Sequence, residues 1–229
     1  MKKMSLCLAL VMVVTCCVWL TGCDKKSSDA SSDNTNSVDA LEIPDVMTEE
    51  FLRAWPENDA SDFTFTPYSD GLRVDEYHGS SEVVAVPAEV DGKPVLATAI
   101  GAFGGARDSK VRAVRFPASL MRTDGTFALS ETIEMVIFDG LTICGKNTFL
   151  NCPALRAVYF SDNLDMVEYL GIASCENLKE IHFGKNIGEF TWDTHWNVKN
   201  AAPSVVIYGA AGTYAETFAK EQDVPFKAE

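Results

Sequence analysis

The sequence predicts a solenoid: a mainly β coil with short helical turns, a parallel β-sheet along one face and a cap at each end. Three observations predict it. Short strand-like pieces recur in "VRAVRFP", "EMVIFDG", "RAVYFSD", "KEIHFGK" and "SVVIYGA", each with a branched residue, a spacer and an aromatic. Their aromatics, Phe116, Phe138, Phe160, Phe183 and Tyr208, follow at steps of 22, 22, 23 and 25 residues. A second column, Phe103, Phe127, Phe149, Ile172 and Trp196, keeps the same beat at 24, 22, 23 and 24. One copy of such a repeat cannot bury its apolar edge alone. Copies stacked about 4.8 Å apart bury a continuous ladder.

Taken in order, residues 1–22 read as a signal peptide: Lys2 and Lys3, an apolar run from Met4 to Leu20, then small residues. "LTGC", Leu20 to Cys23, resembles the bacterial lipoprotein box. That resemblance implies cleavage before Cys23 and a lipid anchor on it, with the protein held at the cell envelope outside the cytoplasm. The other reading of the run is an uncleaved membrane-spanning helix. Residues 23–44 follow as a disordered tether, because "DKKSSDASSDNTNSVDA" holds almost nothing to bury.

Residues 45–81 form the expected N-terminal cap. "MTEEFLRAWP" reads as a short helix with Thr48 as N-cap, Met47 stapled to Leu52 and Pro56 as stop. "FTFTPYSDGLRVDEY" reads as a hairpin turning at Ser69-Asp70-Gly71. Residues 82–203 are the solenoid, beginning with "VVAVP", where Val86 stands in the place of Phe116. Three residues past the second column stand Ala106, Ser130, Cys152, Cys175 and Lys199. The first four are small, as a crowded inner corner requires, and Lys199 marks a distorted last repeat. Residues 204–229 are the C-terminal cap, a helix with Thr213 and Glu216 as a capping box and Tyr214 and Phe218 on one face.

The period falls in the range of leucine-rich repeats. From about Phe63 to Phe226 the chain resembles the BspA-like bacterial leucine-rich-repeat surface proteins. The start, "YHGSSEVVAVPAEVDGKPVLATAIGAF", is similar to that family's first repeat, and "IYGAAGTYAETFAKEQDVPF" to its terminal cap. Two middle copies depart: "LMRTDGTF" lacks the Ile-Gly and "EYLGIASC" the Ala-Phe. The resemblance implies a leucine-rich-repeat solenoid acting as a cell-envelope binding or adhesion module. It supplies no catalytic residues.

Charge and chemistry narrow the function. Without residues 1–22 the chain carries 17 basic and 33 acidic residues, a net −16 that repels nucleic acid. There is no G-x-S-x-G motif, no phosphate loop and no CxxC pair. His78, His182 and His195 are scattered, so neither a metal nor a cofactor is expected. Asp162, Asp165 and Glu168 are the carboxylates a polysaccharide-active enzyme would need, and in so acidic a chain they read as solubility. Cys152 and Cys175 occupy the same place in adjacent coils and are expected to pack as reduced thiols, with a disulfide as the other reading.

Strand alternation leaves two outward columns: Val83, Ala113, Met135, Ala157, Glu180, Val205, and Ala85, Arg115, Ile137, Tyr159, His182, Ile207. Met135, Ile137 and Tyr159, flanked by Arg115 and His182, would form an exposed apolar patch for a protein or glycan partner. The alternative is that the N-terminal helix or tether folds over it. An envelope component that self-associates is the other function class.

Overall fold

The computed structural model describes residues 42–104, 109–192 and 197–229. The signal peptide, Cys23, the tether up to residue 41, Ala106, His195 and Trp196 lie outside the described residues. A compact unit runs from Glu42 to Glu229.

Helix α1 is Glu49–Ala54. The Thr48 side chain accepts from the Phe51 N–H at 3.2 Å, with Glu49 and Glu50 in the first turn and Arg53 in the last, the charge order that the helix dipole favours. Strands β1 (Phe63–Tyr68) and β2 (Gly71–Tyr77) form the antiparallel hairpin. Tyr68 pairs with Gly71, so the turn is Ser69-Asp70, with Ser69 in the left-handed region (φ 53). Gly71 already belongs to the strand, where a Cβ would lie 2.3 Å from the Pro94 carbonyl oxygen.

The coil follows. Its strands are β3 (Val83–Ala85), β4 (Glu89–Val90), β5 (Lys93–Thr98), β6 (Ala113–Phe116), β7 (Arg122–Thr123), β8 (Met135–Phe138), β9 (Ile143–Cys144) and β10 (Phe149–Leu150). Next come β11 (Ala157–Tyr159), β12 (Met166–Val167), β13 (Ile172–Ala173), β14 (Glu180–His182), β15 (Thr191–Trp192), α2 (Val198–Ala201), β16 (Val206–Gly209), α3 (Tyr214–Glu221) and β17 (Phe226–Ala228). A front sheet, β17-β16-β14-β11-β8-β6-β3, is parallel throughout. A back sheet runs β1-β2-β5-β7-β9-β12-β15, with β4 on β5, and β10 pairs with β13 at a third corner.

The expected columns form the core. Phe116, Phe138, Phe160 and Phe183 stack with centroids 5.2, 5.6 and 5.7 Å apart. Phe127 stacks on Phe149 at 5.3 Å, and Phe138 meets Phe149 edge-on at 6.1 Å and 68°, so the two columns interlock. Buried threonines satisfy one another across rungs: Thr98 with Thr126, and Thr123 with Thr148 at 3.0 Å.

The last turn departs from the expected pattern. Val206, Ile207 and Tyr208 pair with Glu180, Ile181 and His182, so Ile207 and Val205 point inward and Tyr208 outward. The reason is Gly209, which stands where an inward aromatic was expected. A Cβ there would lie 2.8 Å from that of Ala215, and Phe218 of α3 supplies the ring against Phe183 instead, at 5.8 Å. Lys199 is exposed on α2 and pairs with Asp223, while fully buried Val198 fills the interior. The capping box does not form: Glu216 accepts from the N–H of Gly212, one residue before the N-cap, at 2.9 Å, and the Thr213 hydroxyl donates to the Ala210 carbonyl at 2.7 Å. After α3 the chain adds an unanticipated strand, β17, beside β16.

Candidate functional site

The front sheet aligns Arg115, Ile137, Tyr159, His182 and Tyr208 in one outward column, with Met135 in the neighbouring one. Helix α1 lies over much of this face. Met47 and Leu52 share a buried cluster with Val83, Ala113, Met135, Ile137, Ala157 and Tyr159, and Ile43, Phe51 and Trp55 pack at its margin. Met135 is 6% exposed, Ile137 0% and Tyr159 8%. The bare patch expected from alternation is therefore closed by the N-terminal helix, because the helix and the sheet each carry an apolar face that gains about 25 cal/mol per Å² on leaving water. Ile43 takes part, so the fold begins before residue 45.

Arginines hold this cover down. Arg115 donates to the carbonyl oxygens of Arg53 (2.8 Å) and Trp55 (3.1 Å) at the end of α1. Arg112 donates to the Asp45 carbonyl at 2.8 Å and to Glu134 at 2.7 Å, and Arg53 bonds Asp139 at 2.9 Å. Arg115 thus serves the chain's own helix.

His182 lies outside that buried cluster, next to it along the column. Its ring stacks between Tyr159 (4.1 Å, 13°) and Tyr208 (4.4 Å, 12°). Glu229 lies 2.9 Å from Nδ1 and Glu180 3.3 Å from Nε2. The Lys227 ammonium stands 5.4 Å from the centre of the Tyr208 ring. Burial, then the charges of Glu49, Glu180 and Glu229, push the Tyr159 phenol above its usual range. Tyr208, Lys227 and Glu229 escaped sequence reasoning. Tyr208 fits the aromatic period one residue out of register, and a three-residue terminal strand has too short a pattern to read.

Other candidate groups have structural roles. Asp162 accepts from the backbone and side-chain amides of Asn186 at 2.8 and 3.0 Å, and Glu168 bonds Arg122 at 2.8 Å. Cys144, Cys152 and Cys175 are free and buried. The Cys152 and Cys175 thiols donate to the Phe127 and Phe149 carbonyls at 3.0 and 3.1 Å. A hydrogen bond with Cys175, then burial, holds the Cys152 thiol above its ordinary range. Among the described residues no group of three or more His, Cys, Asp or Glu could hold a metal ion, and no helix is long and apolar enough to cross a membrane.

No protein-family model matches the chain, and no curated protein matches it. Solved structures do. A leucine-rich cell surface protein of Faecalibacterium prausnitzii A2-165 is 16% identical over 70% of this chain, with a TM-score of 0.50. The match spans 46% of that protein, less than half its length. A leucine-rich-repeat protein of T. pallidum is 17% identical, covering 75% of this chain and 98% of its own, with a TM-score of 0.40. One from Bacteroides capillosus ATCC 29799 is 19% identical, covering 67% and 98%, with a TM-score of 0.41. The fold defines the class: a capped leucine-rich-repeat β-solenoid. Its structural neighbours are bacterial leucine-rich-repeat proteins, a cell surface protein among them, consistent with the BspA-like resemblance.

Proposed function

We propose that the protein is a cell-envelope lipoprotein, tethered through lipid on Cys23, that presents its leucine-rich-repeat solenoid to a protein or glycan partner. Binding works by rigid surface complementarity and uses no cofactor. The observation that carries this reading is the end of the front sheet beside α1. There His182 and Tyr208, stacked beside the covered ring of Tyr159, form a half-buried aromatic edge bordered by Glu180, Lys227 and Glu229, an aromatic and charged surface of the kind that anchors partners. Strand pairing on both sides of β14 holds that edge in place before any partner arrives.

Two measurements test the two halves. Feeding an alkyne fatty acid to expressing bacteria labels the wild-type protein and leaves Cys23→Ala unlabelled; equal labelling removes the anchor. Immobilised protein is challenged with cell-surface and matrix extracts beside a His182→Ala/Tyr208→Ala variant. Identical captured partners would remove the edge from the binding surface.

A further inference from the structure

The hydroxyl of Tyr159 is not explained by packing. The residue is 8% exposed, yet its phenol oxygen has no hydrogen-bond partner among the described residues. Other tyrosines here are partnered: the Tyr77 oxygen accepts from the Ser81 N–H at 3.1 Å, and the Tyr214 hydroxyl donates to Glu221 at 3.3 Å. One turn earlier the same place in the column is held by Ile137, fully buried and in need of no partner. A phenylalanine would fill the Tyr159 site as well and bury no unmet oxygen. Buried polar groups are nearly always hydrogen-bonded, so an orphan one calls for a specific cause.

The charges around that oxygen indicate what it meets. Glu49 on α1, Glu180 on β14 and Glu229 after β17 act on the phenol, and Arg53 opposes them. Their own chain does not balance them. Arg53 is divided between Glu49 at 2.7 Å and Asp139 at 2.9 Å. Glu229 and Glu180 share the single ring of His182. The Lys227 ammonium donates to the Tyr208 hydroxyl at 3.4 Å. Four carboxylates thus stand against Arg53, Lys227 and one imidazole, which carries at most one positive charge. Negative charge is left over whichever way His182 is protonated. The Glu180 and Glu229 side chains are 42% and 46% exposed, so a partner can reach them.

We infer that this edge receives the guanidinium of an arginine on a partner polypeptide, which donates to the Tyr159 oxygen and to the carboxylates of Glu180 and Glu229. Arginine fits because its flat fork carries five N–H donors and no acceptor. It is also more weakly hydrated than a lysine ammonium, so it enters a half-buried site more readily. A neutral sugar brings no charge to meet the excess. The inference rests on the reading of the protein as a binding module and names its partner as a polypeptide; it does not depend on the lipid anchor.

The test titrates acetyl-Gly-Arg-Gly-amide into the purified protein and follows the side-chain NMR signals of His182 and Tyr208. Saturable shifts are expected, and none with citrulline in place of arginine. Tyr159→Phe and Glu180→Gln should each weaken the peptide about tenfold, as expected for a lost hydrogen bond to a charged group. Tyr159→Phe removes only the orphan oxygen, so its melting temperature should be equal to or above that of wild type. No saturable shift, an equal response to the citrulline peptide or unchanged affinity in Tyr159→Phe overturns the inference. A lower melting temperature for Tyr159→Phe gives the hydroxyl a structural role and equally overturns it. Glucosamine bound as tightly as the arginine peptide moves the cation to a glycan and overturns the polypeptide partner. If the peptide fails while His182→Ala/Tyr208→Ala still loses partners captured from extracts, the inference falls and the proposed function stands.

Discussion

Arg115 donates through Nη2 to the carbonyl oxygen of Trp55 at 3.1 Å, closing the end of α1 onto the strand face beneath it. With the second bond to Arg53, it satisfies carbonyls that a helix end leaves without intrahelical partners. Replacing Arg115 by alanine leaves α1 held mainly by Leu52 and Met47. The expected cost is about 1.5–3 kcal/mol in urea unfolding, since hydrogen bonds to charged groups are worth about that much. Amide exchange at residues 49–55 rises and a hydrophobic dye begins to bind the uncovered Met135–Ile137 surface. Unchanged exchange in α1 would show that these bonds do not hold the helix.

Phe138 sits in the middle of the first aromatic column, between Phe116 and Phe160 and edge-on to Phe149. Phe138→Ala opens a cavity that touches three rungs, and a loss of about 3–5 kcal/mol is expected by denaturant titration. Phe138→Leu fills most of that space and costs less. A loss below about 1 kcal/mol for the alanine variant would mean that the stacked rings are not the core of the coil.

Alkali should weaken the fold through Cys144. Burial pushes its thiol up to about 12 from an ordinary 9.0. Below pH 9 both the folded and the unfolded chain keep this proton, and the contribution is whole. As the pH rises from 9 toward about 12 the unfolded thiol ionises first, so stability falls. The slope in that window is about 1.4 kcal/mol per pH unit. Urea midpoints taken across that window should fall for wild type and fall less steeply for Cys144→Ala. Equal slopes would assign the alkaline loss to other groups.

Leu170 marks a corner where the backbone and the side chain disagree. Gly101, Gly125, Asn147 and Leu170 follow at steps of 24, 22 and 23 residues, and all four have positive φ: 72, 53, 58 and 51. The first three are residue types suited to that backbone. Leu170→Asn is expected to raise stability by about 0.5–1 kcal/mol, read as a higher melting temperature. A lower melting temperature would show that the partly buried leucine side chain contributes more than its backbone costs.

Much of the fold was legible because its signals are local or periodic. The strand pieces and their aromatics repeat at the coil's own period, so Phe116, Phe138, Phe160 and Phe183 could be stacked on paper. Thr48, Met47 and Leu52 announced α1 by spacing alone. The period failed at the last turn, where Tyr208 looked like one more inward aromatic. Its true orientation depends on the close approach of Ala215 to Gly209, between elements that no repeat relates. The candidate site was half legible. Alternation aligned Arg115, Ile137, Tyr159 and His182 correctly, but it assigns faces and says nothing of what lies on them.

The amino-acid sequence by itself determined that this chain coils, how long each turn is and which side chains share its interior, because a period acts through nearest neighbours. Only the tertiary structure decided which surfaces remain open. Where α1 comes to rest and that Tyr208 turns outward are long-range packing outcomes. They are set by competition among apolar faces that sequence distance does not order.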